Sequence, residues 1–249
     1  MARSDNPQRF YGTTIVAACF TIQGIGVGSF IACGVFFPSL LDAFGWSRTA
    51  ISGASSMAFL LMGFLGIITG ALNDRFAPRV IMTVTGVILG SSYLLLGQMK
   101  AVWQFYLFFG LMTGIGLSGI DVIALTTTSR WFSARRGVMT GVVKVGTGAG
   151  QLIMPFLAGV CITRLGWRSA YSIIGLIVLV CIVGAGQLLR RDAAQMGQMP
   201  DGRIDPHGVN GPLVESGLSL AEALRGRPFW MLGALNLLAV ASMFVILVH

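Results

Sequence analysis

Charge is what this sequence has least of. Asp, Glu, Lys and Arg make up 10% of its 249 residues, against roughly 25% in an ordinary soluble domain. Because 55% of the chain is hydrophobic, folding alone could not hide that much apolar surface from water, which argues against a soluble enzyme and against a disordered chain. Histidine is almost absent: His207 lies in a polar stretch and His249 is the last residue. A metal-dependent membrane enzyme needs more ligands than that, and neither HExxH nor GxSxG occurs. No metal, cofactor or catalytic residue is expected, and the chain does not read as an enzyme. Cysteine is also sparse. Cys19, Cys33, Cys161 and Cys181 each sit inside an apolar run with no CxxC spacing, so they read as packing residues and not as a disulfide framework. The apolar runs lack the alternation that a membrane β-barrel requires.

What is present is a series of long apolar runs. Seven are long enough to cross a bilayer, which takes about 20 residues: 12–41, 51–72, 80–99, 102–127, 138–162, 170–189 and 229–248. The first is too long for a signal peptide and has no clear cleavage site, so it reads as a retained helix. The tryptophans (Trp46, Trp103, Trp131, Trp167, Trp230) all flank these runs, the place where an amphipathic ring bridges lipid and headgroups. The 34 glycines suit membrane helices.

The net charge of +8 is spread between the runs and forms no single patch. That is the pattern of loop charges orienting a membrane protein, and no nucleic-acid partner is implied. One set of loops carries Arg3, Arg9, Arg75, Arg79, Arg130, Arg135, Arg136, Arg190, Arg191, Arg203, Arg225 and Arg227. The opposite set carries only Arg48, Lys100, Arg164 and Arg168. The positive-inside rule then places the N-terminus and the 190–227 stretch in the cytoplasm, and a bacterial inner (plasma) membrane is the expected location.

The predicted fold class is an all-α polytopic membrane protein. Residues 1–189 form a six-helix transmembrane bundle, 190–227 a flexible cytoplasmic linker, and 228–249 one further span, which the family resemblance given below implies is the first helix of an incomplete second bundle. The linker reading rests on its polar composition and on Pro200, Pro206 and Pro212. Within it, Ser219 and Glu222 have capping-box spacing and predict a short helix near 220–225. Pro228 suits the first turn of the last span.

Between the second and third runs stands Gly70-Ala-Leu-Asn-Asp74-Arg75-Phe-Ala-Pro-Arg79. It resembles the cytoplasmic loop motif GxLxDRxGRR of the major facilitator superfamily, matching at Gly70, Leu72, Asp74, Arg75 and Arg79 and departing from it at Ala77 and Pro78. Further strings resemble the monocarboxylate porter or oxalate–formate antiporter-like branch: 34–52 (GVFFPSLLDAFGWSRTAIS), 128–141 (TSRWFSARRGVMTG), 165–171 (LGWRSAY) and 218–232 (LSLAEALRGRPFWML). They run in order over nearly the whole chain. The resemblance implies two six-helix bundles that rock about a central site, with a second bundle supplied by the same gene or a separate chain. It further implies a small organic anion as substrate, proton coupling or exchange, and a cytoplasmic latch at Gly70, Asp74, Arg75 and Arg79. The stretch Gly146-Thr-Gly148-Ala-Gly150-Gln151, followed by Pro155, is like the glycine-rich, proline-ended motif of facilitator exchangers. Gly146, Gly150 and Pro155 are therefore expected to serve helix packing, as is GxxxG spacing at 24–28, 66–70, 86–90, 110–114 and 137–141.

Two ionisable residues lie within spans. Asp121 precedes Arg130 by nine residues, and Lys144 follows Arg136 by eight. At ~1.5 Å per residue both sit roughly 12–14 Å inward of the loop that joins their helices. A charge at that depth needs a partner or an aqueous cavity. Either the two pair directly and hold their helices together, or they line a substrate cavity. In the second case Lys144 attracts an anion, and Asp121 balances Lys144 or takes part in proton coupling. Lys144 shares a helical face with Thr140, Thr147 and Gln151, and Gln23 is the comparable polar residue of the first span. A non-transporting sensor, a scaffold or an inactive half-carrier is the reading from another functional class.

Overall fold

Short connections with fixed turn chemistry set the topology. In a computed structural model, which describes residues 10–196, 198–202, 222 and 225–248, the first span is α1 (Gly12–Ile31) and α2 (Cys33–Phe44), interrupted only at Ala32. It ends at Gly45, whose φ of 65° closes the helix in the left-handed region that glycine tolerates. Ser47 then caps α3 (Arg48–Arg75) by accepting from the Ala50 N–H at 3.2 Å. Pro78 opens α4 (Pro78–Leu96) in the first turn, where no N–H is required. Gly166, at φ 81°, turns α7 (Arg136–Leu165) into α8 (Trp167–Gln187). Such tight turns reverse the chain direction from one span to the next.

The described residues contain six helical spans long and apolar enough to cross a membrane. Several overrun the predicted bounds: α3 begins at Arg48 and ends at Arg75, and α7 covers Arg136–Leu165, because helical hydrogen bonding continues past the apolar stretch into the loops. The fourth span is not one regular helix. It starts as α5 (Val102–Phe105), widens into a π-helical stretch (Tyr106–Met112) and continues as α6 (Thr113–Trp131). Thr113 Oγ1 supports the wide turn by donating to the Phe108 carbonyl at 3.2 Å, and it meets Ser92 Oγ of α4 at 3.0 Å.

The chain forms two units, Met1–Pro206 and His207–His249. In the second, the seventh expected span is helix α9 (Arg227–Val248), with Pro228 in its first turn. The short helix predicted near 220–225 lies, apart from Glu222 and Arg225, outside the described residues.

In the first unit, α1 packs on α7, α4 on α8 and α3 on α6, and glycines set how closely they approach. A methyl group on Gly150 would overlap the Gly24 backbone, and one on Gly28 would overlap the Gly150 carbonyl. A Cβ on Gly146 would lie 2.6 Å from the Phe20 carbonyl oxygen, and one on Gly24 2.9 Å from the Gly146 carbonyl oxygen. Gly86 and Gly90 of α4 meet Ile182 and Leu179 of α8 in the same way. Gly137 and Gly141 do not fit the packing expectation: no atom lies within 4 Å of the Cβ either would carry.

Two readings change here. Trp131 is no interfacial anchor; it is fully buried against Phe10 and Tyr11, and its indole N–H donates to the Arg190 carbonyl at 2.9 Å. Trp103, by contrast, is 64% exposed. The stretch after α8, read as flexible linker from residue 190, is folded at its start. It carries 3-10 turns at Ala193–Met196 and Pro200–Gly202 and buries Leu189 and Ala193. Its Asp201 carboxylate accepts from the backbone N–H groups of Ser133 (3.0 Å), Ala134 (2.7 Å) and Arg135 (3.4 Å) and from the Ser133 hydroxyl (3.0 Å). Desolvation pushes that carboxyl's pKa upward. The hydrogen bonds from Ala134, from the Ser133 side chain and backbone, and from Arg135 outweigh it and hold the group below its ordinary 3.8. The interaction therefore stabilises the fold above that ordinary value and is lost as pH falls through the lowered one.

The α1–α7 seam predicts opposite outcomes for one chemical change. Gly150→Ala should cost about 1–3 kcal/mol by overpacking. Gly148→Ala, with open space around it, should leave stability unchanged or raise it by up to about 1 kcal/mol through helix propensity. Thermal unfolding of the detergent-solubilised variants tests this, and equal shifts would show that the seam does not set the packing.

Candidate functional site

Four polar side chains from three helices form one chain of hydrogen bonds. Thr147 Oγ1 of α7 donates to Gln23 Oε1 of α1 at 3.0 Å. The amide is thereby oriented with its NH2 toward α6, and Gln23 Nε2 donates to Asp121 Oδ1 at 2.6 Å. Lys144 Nζ of α7 donates to the same oxygen at 2.7 Å. Both donors converge on Oδ1, so Oδ2 has no protein donor among the described residues, and Lys144 keeps N–H capacity to spare. Gln23 is fully buried. The side chains of Lys144 and Asp121 remain 45% and 49% exposed. A charge pair at bilayer depth is tolerated when each member has a partner, and this one is paired, buttressed from inside and open on the side that the bundle does not cover.

The equal depths inferred for Asp121 and Lys144 agree with this direct pairing. Thr147 and Gln23 join the pair; Thr140 and Gln151 do not. The Thr140 hydroxyl donates instead to the Arg136 and Gly137 carbonyls of its own helix. Gln151 is half-buried one turn beyond Thr147. Four residues further on, Pro155 stands inside α7 and has no N–H to give the Gln151 carbonyl. Gly146 and Gly150 pack against α1 as described.

At the Arg-rich end, Asp74 in the last turn of α3 accepts from Arg130 NH2 at 2.9 Å, and its backbone carbonyl accepts from Arg191 NH2 at 2.8 Å. An anion at a helix C-terminus is unfavourable alone, and the two guanidinium groups offset it. Of the other motif residues, Gly70 faces Val122 with room for a methyl group: a Cβ there would lie 3.6 Å from the valine, an ordinary contact. Arg75 and Arg79 are exposed with no side-chain partner among the described residues. Sequence reasoning counted Arg130 only as an orienting charge. The signal for its role was that Asp74 stands in a loop set otherwise dominated by arginine. It also passed over short polar pairs that bind helices together: Asn73 Nδ2 donating to Thr126 Oγ1 at 3.0 Å, and Thr69 Oγ1 meeting Ser118 Oγ at 3.0 Å.

Membrane-crossing helices packed through glycine seams, with a paired charge at membrane depth, define an integral, polytopic helical membrane protein. The family follows from comparison. The profile of the Major Facilitator Superfamily matches residues 17–249, and the chain belongs to that superfamily. It is similar to Monocarboxylate transporter 11 of Homo sapiens, with 29% identity over 173 residues, covering 70% of this chain and 37% of that protein. It is also similar to Monocarboxylate transporter 4 of Rattus norvegicus, with 26% identity over 239 residues, covering 96% of this chain and 50% of that protein. Its fold is like that of a bacterial homolog of the human lysosomal transporter Spinster, solved in an inward-facing and unoccupied conformation. There the TM-score is 0.65 at 18% identity, over 88% of this chain and 49% of that one. The chain thus spans half or less of the length of these proteins.

The shared oxygen predicts measurable coupling. In a double-mutant cycle of Asp121→Asn and Lys144→Met, each followed by thermal unfolding, the interaction energy should be about 0.2–1 kcal/mol, as expected for a half-exposed pair. Strictly additive effects would show that the two side chains do not interact.

Proposed function

We propose that this chain supplies the first bundle of a secondary active transporter for a small, monocarboxylate-like organic anion, working by alternating access with proton coupling or exchange. The observation that carries the proposal is the half-exposed Lys144–Asp121 pair held from within by Gln23. The similarity to proteins named monocarboxylate transporters supports the same substrate class. A carboxylate arriving at the open side finds the spare N–H groups of Lys144 and competes with Asp121 for them. Asp121, once released, needs a proton or another cation to remain at membrane depth. That requirement ties anion binding to proton movement without any covalent step. Gln23, fixed by Thr147, keeps Asp121 from following Lys144 away from the bundle. A second bundle would close the open side and complete the site, since carriers built from two repeated bundles hold their substrate at the interface between them.

In the same reading, Asp74–Arg130 is a latch at the cytoplasmic end, with Arg75 and Arg79 as orienting charges. The pair joins the end of α3 to the end of α6. It must open if these helix ends separate when the bundles rock.

Uptake of labelled lactate, pyruvate or oxalate into liposomes carrying this chain together with a second bundle, with and without an imposed pH gradient, tests the proposal. Uptake should depend on the protein and respond to the gradient. Lys144→Ala should abolish uptake while membrane insertion stays intact. Normal uptake by that variant would remove Lys144 from the substrate site, and no uptake of any of these anions by the unmodified protein would favour a non-transporting role.

A further inference from the structure

The segment that leaves α8 makes a series of ties across the Arg-rich end of the bundle. The Leu188 carbonyl accepts from the Tyr11 hydroxyl at 3.0 Å, and the Arg190 carbonyl from the Trp131 indole at 2.9 Å. Arg191 reaches the Asp74 carbonyl, and Gln198 Oε1 accepts from the Tyr11 backbone N–H at 3.0 Å. Asp201 ends the series on the backbone of residues 133–135. The segment therefore touches the start of α1, the ends of α3 and α6, and the loop that leads into α7. Its far end sits under constraint: Asp201 has φ 61°, a region that residues other than glycine rarely occupy. Beneath Asp201 lies a cavity of about 220 Å³ walled by Phe10, Thr13, Val16, Phe132 and Met139, with Arg135 alongside.

We propose that residues 188–196 and 198–202 form a strap that clasps this end of the bundle, with Asp201 as its releasable buckle on the α6–α7 loop. Because α6 carries Asp121 and α7 carries Lys144 (roughly 12–15 Å further in, from the residue count and the helical rise), the strap fixes the axial register of the two helices that make the pair. Release of Asp201 frees the start of α7 and uncovers the cavity. Whatever pulls on the chain beyond residue 202 is thereby coupled to the α6–α7 pair. This inference does not depend on which solute, if any, is carried.

The test is hydrogen–deuterium exchange on the bilayer-reconstituted chain and on Asp201→Ala. Amide exchange at residues 133–135 should quicken about tenfold when the charged acceptor is lost. Exchange at residues 188–196 should quicken with it, because a strap opens as one unit. Asp201→Asn, which keeps an acceptor but loses the charge, should fall between. Unchanged exchange at 133–135 would overturn the buckle. Faster exchange confined to 133–135, with 188–196 unmoved, would overturn the strap and leave only a local helix cap. A variant that fails to insert is replaced by Ser133→Ala, which removes one donor from Asp201 and should give a smaller quickening at both segments; no change at either would overturn the proposal.

Discussion

The close approach of α1 and α7 is the constraint on which the polar centre depends. Gly24 and Gly28 on one helix face Gly146 and Gly150 on the other with no room for a single methyl group between the backbones. The neighbours of these glycines in sequence are Gln23 and Thr147, whose side chains meet at 3.0 Å. Larger residues along the seam would part the helices, and a glutamine side chain could not then be held by α7 while reaching α6. Glycine is a poor helix former in water. Between membrane helices there is no hydrophobic gain in association, so the contact surface that small residues create is what holds the backbones together. Packing therefore comes first here, and the hydrogen-bond chain follows from it.

A second consequence concerns unpaired polarity. Away from water, each polar side chain needs a partner, and this bundle meets the need mostly with short, local bonds. Ser and Thr hydroxyls turn back to carbonyls three or four residues earlier, as at Thr85, Thr128 and Ser92, while a few also bridge to a neighbouring helix, as at Thr69–Ser118 and Ser92–Thr113. Against that background the Asp121–Lys144 pair is different in kind. It is charged, it draws on three helices, and it leaves bonding capacity unused on its open side. Burying such a pair fully would add a desolvation cost that its Coulombic attraction need not repay. This one is supported from behind by Gln23 and left half-exposed in front, which is why it carries the substrate role proposed above.

Much of this was legible in the sequence, for reasons that can be named. Span number and order follow from apolar length, and the depth of Asp121 and Lys144 follows from counting residues to Arg130 and Arg136. Gln23 stood out as a polar side chain in the first span, but its role as the link between Thr147 and Asp121 depends on how α1 and α7 face each other, which no single-helix pattern encodes. The π-helical stretch at Tyr106–Met112 escaped because apolar composition is indifferent to the helix type that carries it. Trp131 was misplaced because position at a span end does not distinguish a ring facing lipid from one facing the core. The folded stretch after α8 was missed for a related reason. Its proline and glycine content suggests mobility, but its order comes from partners distant in sequence, chiefly Tyr11, Trp131 and the loop at Ser133.

The arginines show how one residue type can do separate jobs at one end of a bundle. Arg75 and Arg79 are exposed without side-chain partners among the described residues, in keeping with the orienting role proposed for them. Arg130 and Arg191 instead converge on Asp74, one on its carboxylate and one on its carbonyl. The end of α3 and the segment after α8 are thereby joined at a single acidic residue. On its other side the same segment reaches the start of α7 through Asp201. If the strap proposed above holds, an opening movement at the end of α3 strains the segment, and slack in the segment loosens both the Asp74 cluster and the α6–α7 loop. The charge asymmetry that first reads as orientation also contains the wiring of this end of the molecule. Only the arginines with acidic or carbonyl partners belong to that wiring.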